Sequence, residues 1–337
     1  MSKNRKKTKI IAEIGQAHEG SLGILHSYID SIAMYGVDVI KFQMHIAEAE
    51  SSKFEPFRVN FSYEDKTRFD YWKRMEFSFE QWVGIKKHCD DLGLEFLVTP
   101  FSIKAIDQLE KMGVSAYKVG SADTSNSLLI KKLSLTEKDL IVSTGMSNYN
   151  EISTCLGFFK NPKQNISIMQ CTTKYPTQAS EIGLNNIRIM KEKYKIPVGL
   201  SDHSGSIYPS LAATALGADL IEVHVVFDKQ SFGPDSSSSL NFKELQMLTE
   251  GVNYINEINL NPIAKDQMDH HKLKSVFGRS LAVNKNLKAG HKIEFKDLEC
   301  KKPPGLGIDV NDFQSILGKP LAKNLSKWDF LNLEDFE

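Results

Sequence analysis

What most constrains this chain is a rhythm. Through the first three quarters of its 337 residues, short apolar, β-rich runs alternate with longer amphipathic stretches. The runs occupy residues 10–14, 37–43, 94–99, 116–119, 140–143, 166–170, 197–200 and 220–225. Stretches such as 23–35, 80–92, 103–111 and 208–216 repeat apolar residues at spacings of three and four, as helices do. Strand then helix, repeated, predicts parallel pairing with right-handed crossovers, and eight strands is the number at which such a sheet closes into a (β/α)8 TIM barrel. A doubly wound open sheet has the same rhythm, so the count supports the barrel without deciding it.

The composition removes other classes. Lys plus Arg and Asp plus Glu are 42 each, so no net field draws the molecule to nucleic acid or an anionic membrane, and any anion must be held by a local site. With 41% hydrophobic and 25% charged residues the chain is globular rather than disordered. Cys89, Cys155, Cys171 and Cys300 are scattered without a CxxC pair, which predicts reduced thiols and a cytoplasmic protein. No run approaches the roughly 18 apolar residues that span a bilayer. The basic start, residues 3–9, is read as a frayed terminus.

The rhythm divides the chain into a barrel domain at 1–260, a polar linker at 261–274 and a small domain at 275–337, where β-like pieces at 280–283 and 298–301 lie among Gly and Pro turns. The linker pair His270 and His271 has no acidic or thiol companion at ligand spacing, and Gly305-Leu306-Gly307 does not continue as a dinucleotide fingerprint. Within the barrel, the connection 47–77 is long, charged and aromatic; a lid, a partner surface and a packed excursion all fit it.

A barrel of this kind carries its site at the carboxyl ends of its strands. Those ends hold Glu13, Lys41 with Gln43, Thr99, Lys118 with Ser121 and Asp123, Ser143, Gln170 with Tyr175, Ser201-Asp202-His203, and Glu222 with His224. Lys41 and Lys118 fall inside strand-like segments, where an unpaired ammonium is costly. Together with the hydroxyls of Thr99, Ser121 and Ser143 they could make a pocket for a compact dianion such as phosphate. The alternative is that each lysine pairs with a carboxylate of a neighbouring strand, Glu13 for instance. His203 and His224 end consecutive strands, an arrangement that suits a divalent metal whose open positions are filled by water or substrate.

Taken with their order, Ile11-Ala12-Glu13-Ile14-Gly15, Lys41-Phe42-Gln43, Thr99-Pro100-Phe101, Lys118-Val119-Gly120-Ser121, Ser143-Thr144-Gly145-Met146, Gly199-Leu200-Ser201-Asp202-His203 and Gly233-Pro234-Asp235 resemble the sialic acid synthase family. The tail from Phe277-Gly278-Arg279-Ser280 to Lys302-Pro303-Pro304-Gly305 is similar to that family's antifreeze-like (SAF) domain. The resemblance implies condensation of phosphoenolpyruvate with an N-acylated amino sugar, N-acetylmannosamine, its phosphate or a 2,4-diacetamido-6-deoxyhexose, to give a nine-carbon 2-keto sugar acid and phosphate. It implies a divalent metal on His203 and His224, Mn²⁺ with Mg²⁺ or Co²⁺ as alternatives, and a domain-swapped homodimer.

By the same resemblance, Lys41, Thr99, Lys118, Ser121 and Ser143 hold phosphoenolpyruvate. Glu13, Gln43, Tyr175 and Asp235 meet the sugar or order water, and Arg279 reaches the partner's barrel to grip the acyl group. Asp123 stands where the family has Glu, one methylene longer, as base or proton relay. Two rival functions remain at this stage: another phosphoenolpyruvate-dependent aldol-type synthase, which needs more cations at the sugar end than Arg279, and a non-catalytic sugar-binding relative.

Overall fold

A computed structural model describes residues 6–59, 61–265 and 268–337. Eight parallel strands form a closed barrel: β1 (Lys9–Glu13), β2 (Val39–Met44), β3 (Glu95–Pro100), β4 (Ala116–Val119), β5 (Asp139–Ser143), β6 (Ile166–Cys171), β7 (Val198–Asp202) and β8 (Leu220–His224). β8 returns to pair with β1 over five residues, from Lys9 against Leu220 to Glu13 against His224, which excludes the open sheet. Each strand lies within two residues of its expected run. At the basic start, residues 3–5 lie outside the described residues. Lys9 is not frayed, because it opens β1 and its ammonium meets Glu95 at 2.7 Å.

The helices begin where the sequence supplies caps. Ser78, Asn148 and Asn241 each accept from the backbone three residues on and receive a side chain in return, from Gln81, Glu151 and Glu244. The helix Ile103–Met112 stops at Gly113, whose left-handed φ of 70° costs a glycine little. These helices bury one face against the outside of the barrel, where Phe42 stacks on Phe96 with ring centroids 5.0 Å apart.

Inside the barrel the two-residue alternation of the strands sets up tiers. Ile11, Val39, Leu97 and Ala116, with Ile141 against them, form an apolar plug. Two residues further along the same strands come Glu13, Lys41, Thr99, Lys118 and Ser143, and Gln43 follows Lys41 on β2. The plug closes one end of the barrel with hydrocarbon, and the polar tiers above it form the floor of a site.

The chain divides into two compact units, Met1–Asn261 and Pro262–Glu337. The second contains the antiparallel pair β9 (Ser280–Val283) and β10 (Leu298–Lys301) and a core that includes Leu281, Val283, Ile293, Ile316, Leu321 and Leu331. A helix spans His271–Phe277, so residues 271–274, expected as linker, are helical. Buried Asp297 there accepts from His291 Nε2 at 2.7 Å.

Candidate active site

A cavity of about 590 Å³ lies at the carboxyl ends of the barrel strands, a size suited to small-molecule ligands. Lys41, Gln43, Thr99, Lys118, Ser121, Asp123, Ser143, Tyr175, His203, His224 and Asp235 line it. Glu13 is fully buried beneath, tied to the lining through Lys41 and Gln43. Arg279 lies in the second unit, exposed, with Nη1 donating to the Cys300 carbonyl at 3.0 Å.

The floor is an ionic tier. Lys41 Nζ lies 2.7 Å from Glu13 and 3.7 Å from Glu222, and Lys118 Nζ lies 2.7 Å from Glu222. Of the two sequence readings of the lysines, the structure has the ion pairs, and with two carboxylates rather than one. The physical reason is that four ionic side chains almost completely removed from water need partners within the protein. Burial by itself depresses the Lys41 pKa, but Glu13 and Glu222 outweigh it and raise the value. For Lys118, burial prevails over the single carboxylate and lowers it. Glu222 is held well below the ordinary carboxylate range: burial pushes it up, but Lys118 and Lys41 pull it down further.

Above the lysines the hydroxyls begin. Ser121 Oγ accepts the Gly145 amide at 3.2 Å, so this amide is occupied by a side chain. A Cβ on Gly145 would lie 2.5 Å from Thr173 Oγ1 and 2.9 Å from both Cys171 Sγ and Ser121 Oγ, which explains the glycine. Asp123 sits in the short turn after β4 and accepts Asn126 Nδ2 at 3.0 Å. Burial raises its pKa, and the nearby Glu50 charge adds to the rise.

His203 and His224 stand with ring centroids 5.3 Å apart. His203 Nδ1 lies 3.0 Å from the Thr172 carbonyl. A carbonyl only accepts, so Nδ1 carries the proton and Nε2 keeps its lone pair. Burial, and next His224, push the His203 pKa down to about 3, so the ring is neutral as a metal ligand must be. Asp235 Oδ2 is 3.8 Å from His224 Nδ1. Among the described residues no group of three or more His, Cys, Asp or Glu is placed to hold a metal ion. The free lone pair on His203 Nε2, with the His224 ring beside it, leaves two nitrogen donors that could hold a metal ion at this end of the cavity.

Glu222, which the sequence placed among the strand ends without a partner, carries the same signal as the two lysines, a charge between apolar strand residues Ile221 and Val223, and Ser201 Oγ donates to it at 3.2 Å. The sequence reading missed other participants. The 47–77 connection proves to be a wall of the cavity. His45, at its start, stacks between Trp72 and Phe101 with centroids 4.1 and 4.5 Å away, and its Nδ1 meets Glu50 at 2.7 Å. Arg58 and Arg68 also line the cavity, two cations that the sequence reading did not count. Each is already paired, Arg58 with Asp235 at 2.6 Å and Arg68 with Glu55 at 3.0 Å.

The chain is similar to known proteins over most of its length. The model of the NeuB family matches residues 28–262. The chain is 33% identical to the N,N'-diacetyllegionaminic acid synthase of Campylobacter jejuni, across 95% of this chain and 97% of that one. It is 28% identical to the human N-acetylneuraminate-9-phosphate synthase, across 95% and 90%. Among solved structures, an N-acetylneuraminic acid synthetase from Leptospira borgpetersenii superposes with a TM-score of 0.70 at 30% identity, covering 78% of this chain and 90% of that one.

Proposed function

The chain belongs to the NeuB family of sialic acid synthases, and from that premise we propose how its cavity works. It is a nonulosonate synthase: it condenses phosphoenolpyruvate with an N-acylated amino sugar. The observation that carries the reading of the site is the meeting of two ammonium groups and two imidazoles, far apart in sequence, around one cavity.

The enol C3 attacks the aldehyde carbon of the open-chain sugar. The π electrons form the new C–C bond, the aldehyde oxygen takes a proton, and water adds at C2. Cleavage of the C–O bond then releases phosphate and leaves the 2-keto acid. Lys41, Lys118, Thr99, Ser121 and Ser143 hold the anionic half. Because both lysines are also ion-paired, they act as preorganised donors rather than surplus charge, and the Glu13 and Glu222 carboxylates aim them. Asp123 takes the proton from the adding water, a role its raised pKa supports. Gln43, Tyr175 and Asp235 orient the sugar. The neutral His203 ring supports a divalent cation on His203 and His224, Mn²⁺ with Mg²⁺ or Co²⁺ as alternatives, which supplies Lewis-acid polarisation of the aldehyde when bound. The homodimer, with Arg279 delivered from a partner, rests on the family resemblance of the tail.

The test is phosphate release from phosphoenolpyruvate with a panel of N-acylated hexosamines, with and without chelator. Release that requires both an acylated sugar and the metal is expected. Equal release with a simple aldose phosphate would favour a different aldol-type synthase, and no release with any sugar would leave a binding protein.

A further inference from the structure

The acceptor end of the cavity is organised by a residue that no family motif in the sequence marked. Arg58 comes from the 47–77 wall, yet its Nη2 donates to Asp235 Oδ1 at 2.6 Å and reaches the Pro234 carbonyl at 3.4 Å. Its guanidinium also lies over the Tyr175 ring, 4.1 Å from the centroid. One side chain thus touches two groups that belong to different strand ends. Each of those groups in turn meets one of the histidines: Tyr175 Oη lies 3.2 Å from His203 Nε2, and Asp235 Oδ2 lies 3.8 Å from His224 Nδ1.

The charges around the cavity are equally informative. Its lining cations are Lys41, Lys118, Arg58 and Arg68, and every one is ion-paired within the protein. Glu50 and Asp123 line it as well. An enol phosphate must already draw on the floor lysines. A second phosphate, on the sugar, would find no unpaired cation among the described lining residues and would face carboxylates instead, so like charges reject it. An uncharged acyl carbonyl meets no such obstacle, and a guanidinium carries more N–H donors than the two contacts of Arg58 Nη2 use.

We propose that Arg58 is the positioning residue of the acceptor end, holding Asp235 and Tyr175 in their binding geometry. By neutralising Asp235 while leaving no surplus positive charge, it restricts the enzyme to acylated amino sugars without a phosphate. The inference rests on the synthase reading of the cavity.

The experiment measures steady-state phosphate release with phosphoenolpyruvate and, in turn, N-acetylmannosamine, a 2,4-diacetamido-6-deoxyhexose and N-acetylmannosamine 6-phosphate. The native enzyme should favour an uncharged sugar over the phosphorylated one by at least about 100-fold in kcat/KM. Arg58→Ala should raise the KM of the uncharged sugar about tenfold and leave that of phosphoenolpyruvate within about twofold, a split that general unfolding would not give. Arg58→Lys, which keeps the ion pair, should recover part of the loss. Asp235→Asn lowers activity overall but releases the Arg58 charge, so the preference for uncharged over phosphorylated acceptor should narrow. If Arg58→Ala does not fold, judged by circular dichroism, the lysine and asparagine variants carry the test.

Equal use of the phosphorylated sugar by the native enzyme overturns the inference while leaving the synthase reading intact. So does an equal rise in both KM values for Arg58→Ala, or an unchanged preference in Asp235→Asn. Absence of phosphate release with every acceptor removes the reading itself and the inference with it.

Discussion

Removing Lys41 tests whether the ionic tier holds the barrel together. At 2.7 Å from Glu13 and 3.7 Å from Glu222, its ammonium has Coulomb attractions of about 6 and 4–5 kcal/mol at an effective dielectric of ~20. Most of that offsets the cost of taking the charges out of water. The observable quantity is what happens when one partner is lost, and for buried pairs that is about 3–5 kcal/mol. Lys41→Met should therefore destabilise the barrel by that amount, because Glu13 keeps only the Gln43 amide, whose Nε2 lies 2.6 Å away. Glu13→Gln should cost less, because Lys41 retains Glu222. The double variant Lys41→Met/Glu13→Gln removes both charges and should be more stable than the Lys41→Met variant, with a coupling energy of about 2 kcal/mol or more. Urea unfolding followed by tryptophan fluorescence in a Trp328→Phe background reads the barrel transition, since the other two tryptophans, Trp72 and Trp82, both lie in that unit. Simple addition of the two single effects would refute the idea that these side chains stabilise one another as a pair.

Three further outcomes follow from the site. His203→Ala and His224→Ala should each abolish phosphate release while the circular dichroism spectrum stays native; turnover persisting in added Mn²⁺ would remove them as ligands. Lys118→Ala should raise the KM for phosphoenolpyruvate at least about tenfold more than that for the sugar, and equal rises would place the lysine elsewhere in the cycle. Arg279→Ala should impair use of the sugar. Mixed dimers that combine this subunit with a His203→Ala subunit should regain part of the activity if the arginine acts across subunits, and no recovery would argue against that arrangement.

The strands were legible because a barrel strand is apolar on both faces along most of its length, which leaves the continuous runs found at 10–14, 166–170 and elsewhere. Lys41 and Lys118 stood out because a charge interrupts such a run. What those charges face was not legible: the register that sets Glu13 against both Lys41 and His224 appears only when β8 closes on β1. Glu222 interrupts its run in the same way and was named among the strand ends, but its pairing with both lysines across the barrel was not. The contribution of 47–77 was hidden for a different reason. Irregular chain has no period to read, and the bond from Arg58 to Asp235 joins positions 177 residues apart. The helix at His271–Phe277 was concealed by a polar, histidine-rich start that suggested a tether.

Lys118 draws its ion-pair partner from the last strand of the barrel. A growing chain that has completed β4 must therefore carry an unmatched ammonium destined for the interior through the synthesis of β5, β6 and β7. Fragments that stop short of Glu222 gain the hydrocarbon plug but not the counter-ion above it. An incomplete barrel therefore lacks both the last backbone pairing and the counter-ion of its interior ammonium, so the two losses fall on the same missing strand.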